Sequence, residues 1–122
     1  MSTKPAELIG VELDLAVARC EGIPERELYV SGNSLFRRNL DEDGELDGTY
    51  TTGPDLLFSR KWEAGGPIIE RWKCMLDYGP NGLWDARHGN EDGITVTEVF
   101  GAPTPLIAAM RCYVASKLGD GK

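Results

Sequence analysis

Histidine and cysteine are scarce in this chain of 122 residues, and long apolar runs are missing. The one histidine, His88, has no cysteine within ten positions, and Cys20, Cys74 and Cys112 form no C-x-x-C pair. Zinc-site spacing is therefore lacking, and no metal is expected. An odd cysteine count fits a reducing cytoplasm. No apolar stretch approaches the roughly 18 residues that cross a bilayer, so no membrane contact is expected. Met1 to Pro5 lead into acidic residues without an apolar core, so no secretory signal is expected either. Positive charge is also short: 13 lysines and arginines stand against 20 acids, for a net charge of −7. Binding a nucleic-acid backbone needs a basic face, so direct nucleic-acid binding is not expected. The G-x-S-x-G, G-x-G-x-x-G and Walker patterns are missing too, so no catalytic residue and no cofactor is assigned.

What is present predicts one domain over residues 1–122. A helix is expected from Pro5 to Glu21, where Ile9, Leu13, Ala16 and Cys20 recur at helical spacing and Gly22 and Pro24 close the run. Gly10 inside it reads as a close packing point or a weak helix start. Short strands are expected at Glu27–Val30, Leu35–Arg38 and Thr49–Thr52. Ile68–Leu76 has the strongest strand composition, and the Asn-Gly signal in Tyr78–Gly82 turns it back into Leu83–Arg87. A second turn at Gly89–Gly93 leads to Ile94–Phe100. Three strands joined by tight turns make an antiparallel meander. The last element is a helix over Pro105–Leu118, with Thr104 as its cap, a stripe of Ile107, Met110, Val114 and Leu118, and Gly119 as its stop. The fold class is α+β, an antiparallel sheet packed by an N-terminal and a C-terminal helix.

Four stretches invite a chemical reading. Asn39–Gly48 is an acidic loop with a partial calcium pattern: Asn39, Asp41, Asp43 and Gly44 fall at positions one, three, five and six, but Asn39 replaces the usual aspartate and Tyr50 stands where the bidentate glutamate belongs. A solvated acidic turn is the better reading. His88, without a partner nearby in sequence, reads as a surface residue. Lys61–Trp72 is the most distinctive stretch. Its Gly65-Gly66-Pro67 lets the backbone turn and approach something closely, while Trp62, Glu70 and Arg71 supply an aromatic wall and polar contacts. Gly101–Pro105 opens the last helix and exposes N–H groups that can meet an anion.

Two of these stretches and the N-terminal helix resemble one family. Trp62-x-x-Gly65-Gly66-Pro67-Ile68-Ile69-Glu70, the run from Thr104 to Gly119, and Leu13–Ala18 are similar to the NinX-like proteins of tailed phages and prophages. These blocks cover nearly half the chain, whereas Glu25–Asp55 departs from the family pattern. The resemblance implies a phage-encoded accessory protein acting in the host bacterial cytoplasm; small phage accessory proteins often counter host defences, and by that association a role against host defence is expected. It brings no chemistry with it.

Two functional expectations follow. The first is a non-enzymatic protein that sequesters a small anionic, nucleotide-like ligand. Its binding residues would be Trp62, Gly65, Gly66, Pro67, Glu70, Arg71, Thr104 and Arg111, with aromatics stacking a base and arginines pairing phosphate. A pocket shared between subunits of a homo-oligomer would suit so short a chain. The second is an acidic inhibitor of a host defence protein, whose cluster of Asp41, Glu42, Asp43, Glu45 and Asp47 imitates nucleic acid toward a basic groove. A small hydrolase using Glu70 or Glu98 with Asp85 has no motif behind it.

Overall fold

The computed structural model describes residues 8–51, 56–89 and 96–118. Helix α1 (Gly10–Cys20) is followed by a 3-10 turn (Glu25–Glu27) and strands β1 (Leu28–Ser31), β2 (Ser34–Leu40) and β3 (Leu46–Thr51). Helix α2 (Trp62–Trp72), strands β4 (Met75–Tyr78), β5 (Trp84–Gly89) and β6 (Val96–Ala102), and helix α3 (Pro105–Leu118) complete the order. The strands form two antiparallel sheets, β1-β2-β3 and β4-β5-β6. The α+β class therefore holds, with a helix near each end and a meander in each half. Pro5, Thr52, most of the Gly89–Gly93 turn, Ile94, Thr95 and Gly119 lie outside the described residues.

Helix α3 is the centre of the molecule. From Leu106 to Ala115 every side chain is buried, so the helix is hidden all round rather than along the single expected stripe. Ala108, Ala109 and Ala115 make this feasible, because small side chains let α1, α2 and the second sheet all approach. Thr104 caps the helix as its sequence position predicts: the Ile107 N–H donates to its Oγ1 at 3.1 Å. Helix α1 begins at Gly10, a left-handed residue with open space around it, so this glycine marks a helix start and not a packing point. It ends with Gly22 in the left-handed region, where the Gly22 and Ile23 N–H groups donate to the Arg19 and Ala18 carbonyls.

The strand expected at Ile68–Leu76 is overturned: its first five residues finish α2, and only Met75 and Leu76 belong to β4. The apolar positions explain the difference. Ala64, Gly65 and Ile68 are buried, Ile69 and Trp72 half-buried, and four-residue spacing puts them on one helical face. Two glycines and Pro67 are poor helix interior residues, disfavoured by about 1 and 3 kcal/mol each. Tertiary packing overrides them. A Cβ on Gly65 would collide with the Phe58 carbonyl oxygen and come within 2.6 Å of Leu106 Cδ1. The expected close approach therefore exists, and it is to the protein's own backbone. Gly65 meets Leu106 and Trp72 meets Tyr113, a step of seven residues along both helices, so α2 and α3 run in the same direction.

A buried ion pair fixes the first half onto this centre. Asp14, with no exposed surface, accepts the Ser59 N–H and hydroxyl at 2.7 Å and the Arg60 guanidinium at 2.8 Å. All its partners are supplied, which is the condition for burying a carboxylate. Leu28 and Leu35 carry the inner face of the first sheet into the same core.

Candidate functional site

The residues nominated around Gly65-Gly66-Pro67 are distributed along α2. Trp62 is 55% exposed in the first turn, and Pro67 and Glu70 are also exposed. Gly66 is half-buried, with Trp62 Cε3 at 3.5 Å from where its Cβ would be. Nine helical steps separate Trp62 from Arg71, about 14 Å along the axis and about half a turn around it. Arg71 donates to Glu21 Oε2 at 2.6 Å, and the Tyr113 hydroxyl donates to the same oxygen. Burial first, and then this hydrogen bond, hold the Tyr113 phenol well above its ordinary pKa. Arg111 is buried in α3, its Nε donating to the Leu8 carbonyl at 2.7 Å, and desolvation lowers its pKa. Thr104 is occupied by its cap.

Other candidates are also committed. His88 is half-buried, not a surface residue, and stacks on Trp72 with ring centroids 3.8 Å apart. Its neighbours come from α2, which the strand reading concealed. Among the described residues its buried Nδ1 has no hydrogen-bond partner. Asp85 accepts the Gly101 N–H at 3.0 Å, and Glu98 pairs with Arg87 at 3.1 Å. Burial raises the Cys20 and Cys74 thiols and pushes Cys112 up to about 12, so none of them is poised as a thiolate nucleophile. A cavity of about 230 Å³ lies among Ala16, Arg19, Cys20 and Lys117, but Arg19 already grips Glu25 with two hydrogen bonds.

The acidic stretch folds as the tip of the β2–β3 hairpin. Asn39 sits in β2 and trades hydrogen bonds with Thr49 and Thr51, so the stretch lacks the helical flanks of a calcium loop. The turn is tightly built. Asp41 N–H donates to the Glu45 carbonyl, and Gly44 N–H donates to the Asp41 carbonyl with Gly44 left-handed. Asp41 Oδ1 accepts the N–H groups of Asp43 and Glu45. Thr49 donates its hydroxyl, then its N–H, to Asp47, which lowers the pKa of that carboxyl. Among the described residues no ion pair reaches Asp41, Glu42, Asp43, Glu45 or Asp47, all of them exposed.

The hairpin has a second property that sequence reading missed. The register sets Tyr29 opposite Phe36 and Arg38 opposite Tyr50, so these four side chains share the outer face of the sheet. The Tyr29 and Tyr50 rings stack at 5.1 Å, and the Arg38 guanidinium lies 5.2 Å from the Tyr29 centroid. Phe36 and Arg38 at alternate positions were the only local signal. The cross-strand neighbours emerge once the register is known.

The chain matches the family model described as Bacteriophage P22, NinX over residues 4–117. It belongs to the NinX family. It is thus a phage accessory protein, as the Trp62–Glu70 and Thr104–Gly119 blocks implied. No curated protein matches the chain. Both NinX blocks build the α2–α3 centre, where Gly65 and Leu106 touch. No helix among the described residues is long and apolar enough to cross a membrane.

Proposed function

We propose that this phage accessory protein acts by docking its β2–β3 hairpin onto a basic surface of a bacterial host protein, and that the interaction counters a host defence function. One observation carries the reading. The turn at Gly79–Gly82 closes with the same hydrogen bonds as the turn at Asp41–Gly44: Gly79 N–H to the Leu83 carbonyl, and a left-handed Gly82 N–H to the Gly79 carbonyl. It does so with glycine, proline and asparagine. The carboxylates of Glu42 and Asp43 are therefore surplus to the turn, and clustered like charges oppose folding. Charge that a fold does not need is available for a partner, where complementary potential steers association and selects against wrong surfaces.

This reading takes precedence over sequestration of a small anionic ligand because Gly65, Arg71, Thr104 and Arg111 already have intramolecular partners. The five carboxylates also repel a phosphate approaching this sheet. The test is recovery of a host protein from bacterial extract on immobilised protein, followed by mass spectrometry. The comparison is a variant carrying Glu42→Gln, Asp43→Asn, Glu45→Gln and Asp47→Asn, with Asp41 kept because it caps the turn. The host protein should elute with rising salt from the native protein and be missing from the variant. Equal recovery on both would refute the docking reading.

A further inference from the structure

The partner's chemistry can be narrowed from the outer face of the first sheet. Beside the acidic turn a groove of about 210 Å³ is lined by Arg38, Leu46, Gly48, Thr49 and Tyr50. Tyr50 is 52% and Leu46 42% exposed, while the core takes the opposite face of the sheet through Leu28 and Leu35. A purely apolar occupant would leave the neighbouring carboxylates without compensation, and an anionic one would be repelled by them. A cation is favoured, and the form of the groove selects among cations. Lysine presents a compact, strongly hydrated ammonium, whereas arginine presents a planar, weakly hydrated guanidinium that stacks on aromatic rings. The face already holds one guanidinium in this way, that of Arg38 over Tyr29. Arg38 also donates to the Arg26 carbonyl and Arg26 donates to the Gly44 carbonyl, but these two charges are outweighed by the five carboxylates of the turn.

We infer that the groove receives an arginine side chain of the partner polypeptide, its guanidinium stacked on Tyr50, while flanking basic residues meet Asp41 to Asp47. The inference rests on the docking reading and adds an arginine preference that charge alone does not produce.

The test uses fluorescein-labelled hexa-arginine and hexa-lysine peptides of equal charge, titrated with the full chain and followed by anisotropy at low salt. Hexa-arginine should bind about two- to fivefold more tightly, the size of one exposed cation–π contact. Tyr50→Leu should remove the preference and leave the two peptides equal, and Tyr50→Phe, which keeps the ring, should retain it. Thermal unfolding of each variant identifies any that fails to fold, and the Tyr50→Phe result stands independently of Tyr50→Leu. Equal binding of both peptides to the native chain, or a preference that survives Tyr50→Leu, overturns the arginine inference and leaves the docking reading intact. Binding of neither peptide overturns both.

Discussion

Two hairpins in this molecule close with the same backbone and carry opposite side chains. At Gly79–Gly82 the turn is uncharged, Asn81 Oδ1 caps the Leu83 N–H, and the flanking Tyr78 and Trp84 rings pack at 5.0 Å. At Asp41–Gly44 the same cap comes from Asp41, and the neighbouring positions are filled with acids. The second sheet faces α3 and serves the core. The first sheet sends Leu28 and Leu35 inward and leaves an aromatic, acid-edged face outside. Backbone closure accounts for what the two hairpins share. Asp41 and Asp47 cap neighbouring N–H groups, but nothing in the closure accounts for Glu42, Asp43 and Glu45, which is the reason to assign these acids to a partner.

The comparison can be sharpened by substitution. The largest effect is expected at the inner face: Leu35→Ala should destabilise the chain by about 3 kcal/mol in urea unfolding, the usual size for a fully buried leucine. A loss below about 1 kcal/mol would mean that the first sheet is not part of the common core. Gly44→Val and Gly82→Val should each lower stability by about 1–2 kcal/mol, because both glycines hold a positive φ that side chains resist. Unequal losses would break the claim that the two turns are built alike.

Much of this architecture was legible. Thr104, Pro105 and the apolar run after them define α3 over Pro105–Leu118, and Gly22 and the Asn81-Gly82 pair mark their stops through backbone geometry that few residues satisfy. Helix α2 was not legible. Ile68, Ile69 and Trp72 have strand composition, Gly65, Gly66 and Pro67 discourage a helix, and what favours one is contact with Phe58 and Leu106, distant in sequence. His88 was misplaced for the same reason, since its stacking partner Trp72 comes from α2. The acidic cluster was visible as composition. The aromatic face beside it required the pairing of Tyr29 with Phe36 and of Arg38 with Tyr50.

The most direct measurement places the second turn's proline and asparagine at the two surplus positions of the first, Glu42→Pro and Asp43→Asn together, with Asp41 kept as the cap. In equilibrium urea unfolding this variant should retain the native stability to within about 0.5 kcal/mol or exceed it, as expected for exposed positions relieved of like-charge repulsion. A loss of about 2 kcal/mol or more would show that the acids are needed to build the hairpin, and would contradict the claim that they are there for a partner.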